Sequence, residues 1–152
     1  MTDAPPTRLT PPVYLMAALV LMFTADHYTQ SMRFWGRPWT FLGLIPVLAG
    51  FALVMYCAKL HGRHRTTLRP FGDASSLITD GPHRWSRNPI YLGMVVMLIG
   101  VAILLGSPLP WLVVPFFIFT MRNQFIVYEE TALAARFGNE YAEYRRRVRR
   151  WI

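Results

Sequence analysis

Apolar residues are grouped along this chain into four long runs, at roughly residues 12–30, 38–60, 90–106 and 108–128. A helix crosses the hydrocarbon core of a bilayer with about 20 apolar residues. The second run is the clearest, the third has no charged residue, and the first is shortened by Asp26 and His27. Because the adjacent third and fourth runs also lack a polar face, they fit lipid better than the core of a soluble protein. The pattern predicts an all-α, polytopic membrane bundle of about four transmembrane helices in a single domain, 1–152.

The first run also has features of a secretory signal, because residues 23–25 (Phe-Thr-Ala) resemble a cleavage site. Only Arg8 supplies positive charge before it, and three further apolar runs follow. These features favour a retained helix. We therefore expect two N-terminal spans within 1–60 and a cytoplasmic loop at 61–89. We also expect a helical hairpin at 90–130, because the link at 106–110 is too short for any other arrangement of the third and fourth runs.

Glycine spacing marks helix faces that pack closely. Gly43 and Gly50 are seven residues apart in the second run, and Gly93 and Gly100 have the same spacing in the third. Each pair shares one face of a helix and lets another helix approach. The sequence leaves two uses open for these faces, packing within the chain and formation of a homodimer.

Beyond the fourth run, within 131–152, the apolar positions take the spacing of an amphipathic helix. They are Leu133, Phe137, Tyr141, Tyr144, Val148 and Trp151. Gly138 and Asn139 interrupt this stripe with the residue types of a C-cap and a new N-cap, which predicts two short helices. The opposite face is rich in arginine. Such helices either lie on the membrane surface or fold back over the cytoplasmic ends of the bundle.

The net charge of +8 is distributed unevenly. Six of the 16 basic residues lie at the end of the second run or between it and the third, and seven lie at or beyond the end of the fourth. The positive-inside rule then places both termini and the 61–89 loop in the cytoplasm. This charge is explained by topology and by attraction to anionic lipid, so nucleic acid is not an expected partner. The expected location is the inner membrane of a bacterium or archaeon.

The polar segment GPHRWSRNPIYLG, at residues 81–93, directly precedes and enters the third apolar run. Pro89 suits the first turn of a helix, and Asn88 suits the N-cap position. Arg84 and Arg87 are therefore expected at the mouth of a membrane helix, where charge marks either an interface anchor or a functional site.

Glu129 and Glu130 form a second polar feature, at the end of the fourth run. Arg122 precedes Glu129 by seven residues, which on a regular helix places both on one face and allows either an ion pair through an intermediate turn or a shared ligand. His61 and His64 have helical spacing for metal ligands, but Arg63 and Arg65 flank them and no cysteine or carboxylate is close in sequence. No metal site is predicted, and no glycine-rich dinucleotide motif is present.

Together, these features resemble the isoprenylcysteine carboxyl methyltransferase family of integral membrane enzymes and its phospholipid methyltransferase relatives. The first match is LITDGPHRWSRNPIYLG at 77–93, and residues 66–70 fit a segment upstream of it. The second match is a spaced set: Glu129, Glu130, Leu133, Phe137, Gly138, Tyr141, Tyr144, Val148 and Arg150. The resemblance covers about residues 60–152. It departs at His83, where the family usually has tyrosine, and the eukaryotic enzymes have more spans.

The resemblance implies that S-adenosylmethionine is bound near the cytoplasmic face, with S-adenosylhomocysteine as product. The cofactor-binding residues it implies are His83, Arg84, Arg87, Asn88, Pro89, Tyr91, Glu129, Glu130, Tyr141 and Tyr144. Arg87, Glu129 and Glu130 are the implied catalytic residues. A carboxylate or thiolate acceptor needs positioning, for which an arginine such as Arg87 is suited, whereas an amine must first lose a proton to a base such as Glu129 or Glu130.

Three functions remain open at this point. The first is methyl transfer to a lipophilic acceptor with a carboxylate or thiol, delivered from the lipid bilayer. The second is phospholipid N-methylation of the phosphatidylethanolamine type. The third is a non-catalytic scaffold or small transporter, which the opposite charges expected at adjacent helix ends disfavour. The sequence identifies neither the acceptor nor the choice between monomer and homodimer.

Overall fold

A computed structural model describes residues 9–63 and 76–152, and its regular elements are all helical. Helix α1 spans Pro11–Thr29, α2 spans Leu44–Arg63, α3 spans Pro89–Leu105, α4 spans Pro110–Met121 and α5 spans Val127–Arg147. Short 3₁₀ turns lie at Gln30–Met32, Trp39–Gly43 and Gly81–Arg84. A π-helical turn, Arg122–Ile126, joins α4 to α5. The all-α prediction is confirmed.

Two continuous helical stretches, Trp39–Arg63 and Pro110–Arg147, are long and apolar enough to cross a membrane. Helix α3 is equally apolar but has 17 residues. Helix α1 has 19 residues and packs against α3 and α4, although the polar residues near its end reduce its hydropathy. Large apolar side chains are exposed on the outer surfaces of α1 and α2, among them Val20, Phe23, Leu48 and Phe51. Such surfaces suit contact with lipid, as expected for a membrane bundle.

Helices α2 and α3 meet at their glycines, which we call the glycine seam (Gly43, Gly50, Gly93 and Gly100). A Cβ on Gly50 would collide with the carbonyl oxygen of Gly93, and one on Gly100 would lie 2.6 Å from the carbonyl oxygen of Gly43. Gly43, the last residue of the 3₁₀ turn before α2, thus faces the second glycine of α3, and Gly50 of α2 faces the first, so α2 and α3 are antiparallel. The two faces, whose use the sequence left open, pack against each other within the chain.

The π-helical turn changes the orientation of everything after α4. A π turn holds more residues than an α turn, so residues seven apart across it no longer share a face. The Arg122 side chain is exposed and makes no ion pair with any described residue. Of the two possibilities, the Arg122–Glu129 ion pair is not formed among the described residues, because the seven-residue spacing assumed a regular α-helix, and the shared ligand stays a prediction.

Helix α5 is kinked where the sequence predicted a break. Gly138 has φ 49° and ψ −118°, a backbone conformation that favours glycine. The kink turns the second half of α5 so that Tyr141, Tyr144 and Val148 pack together, against Leu77 and Phe137 among others. The second half of α5 thus folds back against the segment that precedes α3, and its position on the membrane surface stays a prediction.

We expect Gly138→Ala to destabilise the protein by about 1–3 kcal/mol, the cost of holding a residue with a side chain in a disfavoured backbone conformation. A Cβ at this position has open space around it, so the effect reports backbone strain alone. Thermal unfolding in detergent measures it. Gly62→Ala is the control, because Gly62 lies in α2 without a positive φ and a Cβ there meets no described atom within 4 Å, and it should be neutral or slightly stabilising. Equal melting temperatures for the two variants would contradict the expected backbone strain of alanine at position 138.

Candidate active site

The segment before α3 is held by α2 and by its own turn. Gly81 has φ 56°, and a Cβ there would lie 3.3 Å from side-chain atoms of Leu60 and Tyr56. The Pro82 carbonyl accepts hydrogen bonds from the main-chain N–H groups of Trp85 and Ser86, at 3.1 and 3.2 Å. This turn directs the residues that follow it towards the start of α3.

Helix α3 begins at Pro89, as the proline predicted, and Pro89 is buried. Asn88 occupies the N-cap position, but its side chain does not cap the helix. Its amide instead donates a hydrogen bond to the Arg150 carbonyl at 3.1 Å, while its main-chain N–H is bound by the Ser86 hydroxyl at 3.1 Å. The N-cap prediction is thus correct in position and wrong in the role of the side chain, because a distant segment of the chain supplies a competing acceptor.

An ion cluster joins the start of α3 to the start of α5. Arg87 donates to Glu130 Oε1 from Nη2 at 2.8 Å and from Nε at 3.3 Å. Arg150 donates to Glu130 Oε2 from Nη2 at 2.6 Å and to Oε1 from Nε at 3.0 Å. The hydrogen bonds to Glu130 raise the pKa of the Arg150 guanidinium above its usual value. One carboxylate is therefore shared by two guanidinium groups, and Arg87 and Glu130 are almost fully buried.

Residues 148–152, which we call the C-terminal strap, lie across the start of α3. Arg87 Nη1 donates to the Val148 carbonyl at 2.8 Å and the main-chain N–H of Arg87 donates to the Arg149 carbonyl at 3.0 Å. The Ser86 hydroxyl donates to the Arg150 carbonyl at 3.3 Å. Sequence reasoning did not place Arg150 in the site, although it belongs to the spaced set that resembles the methyltransferases.

Glu129 lies beside this cluster with a different set of partners. Its Oε1 accepts a hydrogen bond from the Tyr91 hydroxyl at 2.7 Å. Within the described parts of the chain, Glu129 makes no ion pair. The two adjacent carboxylates therefore differ: Glu130 has two cationic partners, whereas Glu129 is bound by one neutral hydroxyl.

The aromatic residues of α5 complete the same region. The Tyr144 hydroxyl donates to the His83 carbonyl at 2.7 Å, and the His83 ring lies 5.5 Å from the His61 ring, centroid to centroid. Tyr141 is only 1% exposed, and its hydroxyl has no hydrogen-bond partner among the described residues. A buried hydroxyl without a partner is costly, which makes the Tyr141 hydroxyl a candidate for contact with a ligand.

Of the ten residues that the resemblance implied, nine are thus within one connected region, and Arg84 lies at its edge. Arg84 is exposed and makes no hydrogen bond or ion pair with a described residue. Trp85, next to it, is 78% exposed. His64 and the upstream match at 66–70 lie outside the described residues. Among residues 9–63 and 76–152, no group of three or more histidine, cysteine, aspartate or glutamate side chains is arranged to hold a metal ion.

The family model described as "Phospholipid methyltransferase" matches residues 38–140. The matched residues include Arg87 and Glu130 of the ion cluster but not Arg150. The chain belongs to this family. The match also spans the glycine seam and the segment at 81–93. It ends before the C-terminal strap.

This chain is similar to a probable protein-S-isoprenylcysteine O-methyltransferase of Oryza sativa subsp. indica. It is 28% identical over 141 residues, which cover 89% of this chain and 73% of the relative. The protein-S-isoprenylcysteine O-methyltransferase of Mus musculus is 32% identical over 109 residues, covering 70% of this chain and 38% of the mouse protein. An uncharacterized protein of Haemophilus influenzae is 40% identical over 63 residues, 41% of this chain and 100% of that protein.

The fold is similar to that of a solved eukaryotic intramembrane Ras methyltransferase, an isoprenylcysteine carboxyl methyltransferase. The TM-score is 0.61 at 23% sequence identity, over 90% of this chain and 50% of the solved one. The chain thus spans half the length of that structure. The family and the relatives identify an enzyme, a membrane methyltransferase, and the scaffold or transporter alternative is set aside.

Proposed function

We propose that this phospholipid methyltransferase family member transfers a methyl group from S-adenosylmethionine to a lipophilic acceptor with a carboxylate or thiol, at the cytoplasmic membrane face. The observation that carries the proposal is the connection between the two segments that resemble the methyltransferases. Arg87 of the first segment binds Glu130 of the second, and Tyr91 binds Glu129. Two distant segments are thus joined into one polar region at the ends of apolar helices.

The residues around this region suit the chemical groups of S-adenosylmethionine. An arginine without a partner among the described residues, Arg84, is available for a carboxylate. Glu129 is available for hydroxyl groups or a cation, and the buried Tyr141 hydroxyl can form a further hydrogen bond. Tyr141 and Tyr144 add aromatic surfaces, which attract cations. When bound, the cofactor supplies an electrophilic methyl group on a sulfonium.

The chain's own residues divide into two proposed roles. Arg87 and Glu130 are bound to each other and to the strap, so we assign them to holding the site together. Arg84, Glu129 and Tyr141 are assigned to ligand contact. A carboxylate or thiolate acceptor then needs only orientation next to the methyl donor, since it is already ionised.

The cytoplasmic orientation rests on the distribution of charge. Arg63 ends α2 and Arg84 precedes α3, so they lie at the same end of the bundle as the ion cluster. The exposed arginines 145–147 and 149 follow in the second half of α5 and the strap. The link between α1 and α2, at the other end, has Arg33 and Arg37. An excess of basic residues favours the cytoplasmic side, where the water-soluble cofactor is available.

Phospholipid N-methylation is the second candidate. It is favoured by the state of Glu129, a partly buried carboxylate without an ion pair among the described residues. An amine acceptor must lose a proton before or during methyl transfer, and such a carboxylate can accept it. The two candidates differ in their methylated product. Transfer of a labelled methyl group into a lipid and small-thiol extract, with mass identification of the product, would distinguish them.

Isothermal titration calorimetry of the purified protein in detergent or lipid should detect binding of S-adenosylmethionine, and Glu129→Gln should weaken it about tenfold or more. The expected loss is that of a hydrogen bond to a charged group, about 1.5–3 kcal/mol. Glu140→Gln is the matched control, because Glu140 is exposed on α5. A folded wild-type protein that binds no S-adenosylmethionine would overturn the proposed function.

A further inference from the structure

The C-terminal strap contacts the same residues that the resemblance assigns to the cofactor. Arg87 donates to the Val148 carbonyl and Asn88 to the Arg150 carbonyl, at 2.8 and 3.1 Å. Trp151 packs against the apolar core of the bundle, and Val148 packs with Tyr141 and Tyr144. The strap is therefore fixed both by apolar contacts and by hydrogen bonds, although it lies beyond the region that the family model matches.

Arg150 gives the strap a specific connection to the ion cluster. Its Nε and Nη2 atoms face both oxygens of Glu130, a two-point contact that fixes the plane of the carboxylate. Arg87 alone reaches only Oε1. Without Arg150, Glu130 Oε2 would lose its charged partner and the carboxylate could rotate about its last bond. Glu130 adjoins Glu129 on α5, so the orientation of this turn also affects the carboxylate assigned to ligand contact.

We propose that Arg150 is a positioning residue of the cofactor site, acting through Glu130 rather than by touching the reacting atoms. The proposal rests on the proposed function, because it concerns the affinity for S-adenosylmethionine. Arg150 holds Glu130 with Arg87, and through Glu130 it fixes the first turn of α5, where Glu129 lies. The strap thereby makes the last described residues of the chain part of the site.

The test compares Arg150→Ala and Arg150→Lys with Arg149→Ala as the matched control. Arg149 is the neighbouring arginine, its side chain is exposed, and among the described residues it contacts the site through its main-chain carbonyl. Arg150→Ala should raise the dissociation constant for S-adenosylmethionine about tenfold or more in calorimetry. Arg150→Lys keeps the charge but loses the two-point contact, and we expect a smaller loss in the same direction. Arg149→Ala should bind as the wild type does.

A second measurement separates positioning from general loss of structure. Because Arg150 is not assigned to the reacting atoms, its variants should raise KM for S-adenosylmethionine while kcat stays within about twofold of the wild type. If Arg150→Ala does not fold, Arg150→Lys and Arg149→Ala carry the comparison.

The outcomes distinguish this inference from the proposed function. If the wild type binds S-adenosylmethionine, and Arg150→Lys and Arg150→Ala both bind it as tightly as the wild type does, the positioning role alone is overturned. A loss of the same size in Arg149→Ala would also overturn it, because the effect would then be one of total charge. Absence of binding by the folded wild type would instead overturn the proposed function.

Discussion

Glu130→Ala should destabilise the protein by about 3–5 kcal/mol, the usual cost of leaving a buried charge without its partner. The Glu130 carboxylate binds two guanidinium groups. One of them belongs to Arg87, whose side chain is only 9% exposed. Removing Glu130 leaves both cations close together with no counter-charge between them. Thermal or denaturant unfolding in detergent measures the loss, and binding of S-adenosylmethionine should be lost with it.

The control for this prediction is an ion pair of the same helix that lies at the surface. Glu143 contacts Arg146 at 4.0 Å, and both side chains are more than half exposed. Because exposed pairs contribute about 0–1 kcal/mol, Glu143→Ala should change the stability little. A Glu130→Ala protein as stable as Glu143→Ala would show that the cluster is not a structural contact.

Gly50→Leu should have a comparable effect on the bundle itself, about 3 kcal/mol or more, because it overpacks a position where main chains touch. A side chain at Gly50 would collide with the Gly93 carbonyl oxygen and would lie 2.7 Å from Met97 Cγ and 2.8 Å from Met97 N. A methionine side chain can move, whereas the two main-chain atoms cannot do so unless α2 and α3 separate. Unfolding in detergent, or the yield of folded protein, measures the result.

Gly62→Leu is the matched control, since it makes the same change near the end of the same helix. A Cβ at Gly62 meets no atom of the described residues within 4 Å. It should therefore leave the stability within about 0.5 kcal/mol of the wild type, as is usual for substitutions at the surface. If Gly50→Leu were as well tolerated as Gly62→Leu, α2 and α3 would not be in contact along the glycine seam.

The features that sequence predicted correctly depend on local chemistry. The start of α3 was predicted because proline and asparagine have strong preferences at the first positions of a helix. The break at Gly138 was predicted from a glycine that interrupts an amphipathic stripe. The antiparallel contact of α2 and α3 is consistent with the glycine spacing, but only the structure shows that the two faces pack on each other.

The features that were missed depend on contacts between distant residues or on irregular helix geometry. Arg150 and Glu130 are 20 residues apart and separated by the kink, so no periodic pattern connects them. The side chain of Asn88 binds a carbonyl 62 residues later in the chain, which its local preference for capping does not reveal. Arg122 was placed on the wrong face because a π turn has no sequence signal as clear as that of a proline.

The glycine seam also limits how a molecule dissolved in the bilayer can reach the site. Where carbonyl oxygens of one helix lie against glycines of the next, no gap remains for an acyl or prenyl chain to pass between them. Helices α2 and α3 are therefore closed to such a chain along the glycine seam. Under the proposed function, a hydrophobic acceptor that diffuses laterally in the membrane would have to reach the ion cluster by a route other than the glycine seam.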